Sequence, residues 1–317
     1  MQLNLPILDE LASCRNLLIA GMGGGFDIFC GLPIYFELRR RGQAVHLANL
    51  SFSQTAYLKE GLRLSDTLVG VTAESKSYMP YFPELHLASW FRATRGEEVT
   101  IWCFNTQGAQ PLLAAYQTLL KHASIDGILL VDGGVDSLMR GDEAEMGTVL
   151  EDACSLAAVS QLDTVAVRLI ACLGIGAEQD VTYAHVFENM ATLAQTGAFL
   201  GSCSLVRQME AYQAYENALE YVHGQRAHDP SVINASIVSA VQGHYGDFHL
   251  TQKTQGSRLW ISPLMPIYWF FDLQAVAERN LFLPELRQSD TFREALQALV
   301  ECRERLPERA RSRIPLP

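Results

Sequence analysis

The chain has 317 residues, 49% apolar and 19% charged, and a formal charge of −11. Such a composition supports a large packed core and argues against disorder. The negative charge excludes nonspecific nucleic-acid or anionic-membrane binding, since both need basic surface.

The predicted elements alternate along the first half. Apolar, strand-like runs cover residues 17–21, 44–48, 67–71, 99–103, 127–131 and 165–172. Amphipathic runs that predict helices cover 28–41, 84–92, 110–122, 146–161, 183–195, 206–223, 231–241, 273–278 and 291–304. Fully apolar strands separated by helices imply a sheet covered on both faces and hence mostly parallel. The expected architecture is α/β, a three-layer Rossmann-like sheet, with a helical insertion or subdomain in the C-terminal half. The pattern changes near Ala177, after which helices dominate and a short strand is expected at 258–261. The chain therefore reads as an α/β body (1–181), a helical insertion or cap (182–257) and a return to the body (258–317), preferably as one continuous fold. Basic clusters at 39–41 and 303–313 fall at helix ends, where cations complement the dipole.

Seven cysteines without a Cys-x-x-Cys spacing fit a reducing cytoplasm. Residues 1–4 carry no basic region ahead of an apolar core, so no signal peptide is expected. No run approaches roughly 20 uninterrupted apolar residues, so no membrane span is expected either.

Three strand exits carry the chemistry. The first is Gly21-Met22-Gly23-Gly24-Gly25-Phe26-Asp27. A turn needs one or two glycines, and the excess costs backbone entropy, so Gly21, Gly23, Gly24 and Gly25 read as a place where backbone approaches a ligand. Asp27 is placed to hold a cation or a sugar hydroxyl. Phe26 stands where a dinucleotide fingerprint has its third glycine, and the second strand ends without an acid, which disfavours NAD(P). No Gly-Lys-Ser/Thr phosphate loop occurs.

The second exit runs from Asp132 through Gly133, Gly134, Asp136, Arg140 and Asp142 to Glu143. Its carboxylates suit a hard cation, with Mg²⁺ or Mn²⁺ as the candidates and Asp27, Asp132 and Asp142 as ligands. Asp132 and Asp136 are the candidate catalytic groups, and Arg140 could pair with an anion. Glu143 reads as a helix N-terminal charge. The third exit, Gly174-Ile175-Gly176-Ala177-Glu178, offers Glu178 to the same edge.

Asn105, and Asn49 with Ser51, occupy strand ends from which they could read substrate hydroxyls. The segment His244-Tyr245-Gly246-Asp247-Phe248-His249 lacks the spacing of a zinc site and reads as a polar loop. Tyr268-Trp269-Phe270-Phe271 reads as core packing, and no Gly-x-Ser-x-Gly elbow signals a nucleophile.

Together with Ile267-Tyr268-Trp269-Phe270-Phe271-Asp272, these glycine-rich motifs resemble the domain-of-unknown-function family numbered 1152, over nearly the whole chain. The resemblance implies a cytoplasmic Rossmann-like protein and no particular activity.

The residues themselves point to a small-molecule enzyme of hydrolase or transferase type. Its ligand would be a phosphorylated or nucleotide-like metabolite, with a divalent cation assisting. The alternatives are a non-catalytic sensor of such a ligand acting through a protein partner, and a structural oligomer with a fossil site. Homo-oligomerisation is a base-rate expectation.

Overall fold

The computed structural model describes residues 6–225 and 229–314. Residues 1–4, on which the signal-peptide expectation rests, lie outside that range, as does part of the expected cap. Nine strands form one sheet: β1 (Asn16–Gly21), β2 (Ala44–Ser51), β3 (Leu62–Ser65), β4 (Leu68–Val71), β5 (Ile101–Asn105), β6 (Gly127–Asp132), β7 (Val167–Cys172), β8 (Phe199–Ser204) and β9 (Ile267–Asp272). Their order is β3-β4-β5-β2-β1-β6-β7-β9-β8. The central block β5-β2-β1-β6-β7 is parallel throughout. β4 and β9 run against it, and the outermost β3 and β8 pair antiparallel with those, so they run with the block. The sheet is thus mixed but mostly parallel.

Alternation along β1 explains the three layers. Leu17 and Ile19 belong to one core, Leu18 and Ala20 to the other, and all four are fully buried. The first core takes in α1 (Pro6–Ala12), α2 (Asp27–Cys30), α3 (Leu32–Arg40), α4 (Pro83–Trp90), α8 (Glu210–His223) and α9 (Val232–Val241). The second takes in α5 (Ala109–Ala123), α6 (Leu150–Val159), α7 (Tyr183–Gln195), α10 (Leu273–Arg279), α11 (Leu283–Leu286) and α12 (Phe292–Arg305).

The C-terminal half belongs to this body. In the segment 182–257, α7 packs on one face, β8 joins the sheet edge, and α8 and α9 pack on the other face. The aromatic run Tyr268–Phe271 does pack in the core, as a strand: β9 bridges β7 and β8. The strand expected at 258–261 reduces to a single bridge between Gly246 and Ile261. The helix expected over 28–41 is interrupted at Gly31. A Cβ there would stand 2.6 Å from Ile19 Cγ2, so the glycine allows the chain to press on β1. Pro33, with no N–H to donate, follows in the first turn of α3.

Strand order fixes where a site can form. The chain fills β1, β2 and β5 on one side, then crosses to β6 and β7 on the other. The reversal falls between β1 and β6, and ligands of open parallel sheets bind beyond the carboxyl ends at such a point. Among the described residues, no helix is long and apolar enough to cross a membrane.

Candidate functional site

Both glycine-rich exits open at this switch point. β1 ends at Gly21 beside Val131 of β6, so the turns 22–26 and 133–135 leave adjacent strands side by side. A cleft of about 750 Å³ lies above them, lined by Gly23 to Asp27, Asp132, Gly133, Asp136, Asp152 and Glu178, among others. A groove of similar size, about 740 Å³, lies between α1, α3, α8 and β8. It is mainly apolar and holds no such carboxylate cluster.

Each carboxylate is set by its own local structure. Asp27 opens α2, and its Oδ2 accepts the Gly23 amide at 2.7 Å. Asp132 ends β6, and its Oδ2 accepts the amide of Ser137 at 3.1 Å and that residue's hydroxyl. Asp152 lies in the first turn of α6, which is tied to the first glycine turn by the Ser155 hydroxyl donating to Met22 O at 2.7 Å. Ligand atoms of Asp27, Asp132 and Asp152 all lie within 4.8 Å of one another. Around them, Asp136 Oδ2 accepts the Thr148 amide at 2.9 Å, and Glu178 Oε2 accepts the Val135 amide at 2.9 Å. The Tyr183 hydroxyl donates to Glu178 O at 2.6 Å and fixes that loop.

The glycines are there because of the carboxylates. A Cβ on Gly23 would stand 2.7 Å from Asp152 Oδ2 and 2.8 Å from Asp27 Oδ2. One on Gly134 would stand 2.9 Å from the Glu178 carboxylate and 3.0 Å from Asp132 Oδ1. Gly133 abuts Asp27 in the same way, at 2.7 Å. Gly21 has another neighbour: its missing Cβ makes room for the Asn49 side chain.

Charge in the cleft is unbalanced. Burial raises Asp27, Asp136, Asp152 and Glu178 well above the ordinary carboxylate range, and the charges of neighbouring acids raise them further. Asp132, also raised by burial but held down by its Ser137 hydrogen bonds, is pushed up to about 6. Lys253 also lines the cleft, 3.8 Å from Asp229. Asp152 Oδ1 is buried and has no hydrogen-bond partner. An unpaired buried carboxylate oxygen is costly, and the economical remedies are a proton or a cation.

The donor set fits a hard cation. It offers only carboxylate oxygens, the ligands of Mg²⁺, Mn²⁺ and Ca²⁺, and neither histidine nor thiolate enters it. Among the described residues this is the one such grouping, and His244 and His249 lie outside it. His249 instead bridges Asp247 at 2.8 Å and Thr254 at 3.0 Å, while His244 stacks on Phe248.

The structure brings together Gly23, Gly24, Gly25, Asp27, Asp132, Gly133, Gly134, Asp136 and Glu178. It places Gly21, Asn49, Asn105, Arg140 and Asp142 outside the cleft lining. Asp142 accepts from Arg309 at 3.1 Å, away from the cleft. Asp152, not Asp142, stands with Asp27 and Asp132, because the segment carrying Asp142 pairs through its backbone with Arg309 of the C-terminal segment. The Arg140 side chain reaches only Asp142, at 3.9 Å, and its amide donates to Glu143. Asn105 receives the Thr55 hydroxyl and donates to Asp66 O, bracing the β3–β4 connection. Asn49 lies beneath the glycine turn, donating to Gly25 O at 2.9 Å and to Glu84 at 2.8 Å. Burial raises Glu84 to about 7.

In the helix expected over 146–161, Asp152 falls in the second turn, where one acid among apolar residues has an ordinary explanation as a solvated position. The signal was its setting: α6 is buried along nearly its whole length, so this acid had no solvent face to occupy.

A family model described as "Protein of unknown function (DUF1152)" matches residues 18–304. The chain belongs to this family. Neither a curated protein nor a solved structure matches it. The match spans both halves of the sheet and all three strand exits.

Proposed function

We propose that this member of the family is a divalent-cation-dependent enzyme that hydrolyses or transfers a group of a phosphorylated metabolite. The observation that carries the reading is the Asp27–Asp132–Asp152 cluster with its buried, partnerless Asp152 oxygen. Those three side chains would hold Mg²⁺ or Mn²⁺. When bound, the cation supplies positive charge for phosphate oxygens and for charge developing in the transition state.

The cation also resolves a conflict in the sequence expectation. A glycine turn at a strand exit suits an anion, yet the Gly23 amide is already donated to Asp27. Phosphate entering this carboxylate-lined cleft would be repelled unless a cation stood between them. Asp136 lines the cleft outside the triad, and a carboxylate raised by burial is suited to take a proton from an attacking water or hydroxyl. Its second oxygen is fixed by the Thr148 amide, which orients it.

The test is thermal unfolding and calorimetry of metal-stripped protein with Mg²⁺, Mn²⁺, Ca²⁺ and Zn²⁺, followed by turnover assays on phosphate esters. A cation at a hundred times its dissociation constant stabilises by about 2.7 kcal/mol. That shift is expected with Mg²⁺ or Mn²⁺ and should vanish in Asp132→Asn, together with turnover. Wild-type protein indifferent to all four cations would end the proposal.

A further inference from the structure

The cleft has a second end that the carboxylates do not explain. Phe52 follows β2, lines the cleft and is 49% exposed. Its ring lies against the glycine turn. A Cβ on Gly24 would stand 2.7 Å from two ring carbons, and one on Gly25 would stand 3.4 Å from a third. Both glycines have positive φ, +92° and +57°, so the turn presents bare backbone to the ring. The ring is seated on its glycine side and open toward the cleft. Tyr81 stands at the same end, its hydroxyl 3.1 Å from where a Cβ on Gly25 would be.

The two ends are close. Gly23 touches the Asp27 and Asp152 carboxylates, and Gly24 and Gly25 touch Phe52. Consecutive Cα atoms are about 3.8 Å apart, so the Gly23 and Gly25 Cα atoms lie no more than about 7.6 Å apart. The carboxylates and the ring thus flank a single turn at the edge of one cleft. A ligand suited to both ends carries phosphate at one end and a flat, apolar-faced ring at the other.

We infer that the substrate class is a nucleoside phosphate, its phosphate on the carboxylate-held cation and its base stacked on Phe52. This rests on the cation reading for the phosphate end only, because the platform stands on Phe52 and the glycine turn. Stacking on an aromatic ring tolerates any base, since every base has a π-face. Selection among bases therefore falls to other groups.

The experiment is calorimetric titration of the full-length protein at saturating Mn²⁺ with AMP, UMP, ribose 5-phosphate and adenosine. AMP and UMP should bind about tenfold or more tighter than ribose 5-phosphate. Phe52→Ala should erase that margin and leave ribose 5-phosphate affinity unchanged, while Phe52→Trp should keep it. The side chain is half exposed, so these variants should fold. Equal wild-type affinity for AMP and ribose 5-phosphate would overturn the inference, as would Phe52→Ala weakening both alike. Phe52-dependent adenosine binding without any phosphate or Mn²⁺ binding would keep the platform and overturn the cation reading. Binding of none of the four would remove both.

Discussion

Two acidic clusters in this protein occupy similarly buried ground and are built on opposite principles. Around Glu143, which has no exposed surface, every charge is answered. Its carboxylate accepts the Arg140 and Gly141 amides, the Asn189 amide group and Arg309 at 2.6 to 2.9 Å. Burial alone would raise Glu143, but these hydrogen bonds outweigh it and hold the group below its ordinary value. In the cleft, Asp27, Asp132, Asp136 and Asp152 face one another with backbone amides and Ser137 as their main donors. They are raised. A folded chain keeps the first kind of cluster for its own stability, and the second kind is characteristic of binding and catalytic sites.

That contrast can be broken by mutation. The largest effect belongs to Glu143→Ala. It strands two amides and Asn189 and removes the nearest partner of Arg309, so it should cost about 3–5 kcal/mol while leaving cation affinity intact. Denaturant unfolding with and without Mn²⁺ would show whether the two properties separate. If Glu143→Ala instead cost cation binding and little stability, the assignment of roles would be reversed.

Asp152→Asn should do the opposite. Removing one member of this mutually repelling buried group should raise the stability of metal-free protein at alkaline pH, where all would be ionised, and abolish the response to Mn²⁺. The same logic sets a pH dependence. Carboxylates whose folded-state pKa is raised bind more protons folded than unfolded, so they destabilise above that value. The penalty is relieved as pH falls through about 6, where Asp132 titrates. Metal-free wild-type protein should therefore gain stability as pH falls from about 6 toward the ordinary carboxylate range near about 4, and cation affinity should fall over the same interval as protons compete for the ligands. A metal-free protein whose stability declines steadily on acidification would contradict the charge conflict.

The smallest effect is expected at Asp142, the residue that sequence proximity offered as a ligand. Its side chain meets Arg309, which also pairs with Glu143 and Glu188. Asp142→Asn should change stability by about 1 kcal/mol or less and leave Mn²⁺ binding unchanged.

The difference between Asp142 and Asp152 also measures what the sequence made legible. The parallel block could be read because its strands are continuous apolar runs, buried on both faces. The glycine exits could be read because an excess of glycine has few other reasons to exist. β8, Phe199-Leu-Gly-Ser-Cys-Ser, is partly exposed and weakly apolar, and nothing in its composition separates it from a loop. β9 looked like core because it is core, and its role as a strand depends on partners from two other parts of the chain. At the site, the residues that follow strands were visible, since strand ends announce where they point. Asp152 and Phe52 enter from a helix start and from beyond the end of β2, and only strand order brings them to the same cleft.

The position of β1 in the sheet has a consequence for how this protein is made. Its two neighbours, β2 and β6, end about 80 residues apart, a gap of roughly 4–16 s at ribosomal rates of 5–20 residues per second. During that interval one edge of an apolar central strand has no native partner, and aggregation competes with pairing. Asp27 is made early and stays hydrated while that edge is open. The crowding of acids begins only when β6 docks with Asp132 and α6 follows with Asp152, so closing the sheet and charging the cleft are a single late event. Under the proposed cation binding, a nascent chain that met the ion at that moment would close more readily than one that did not.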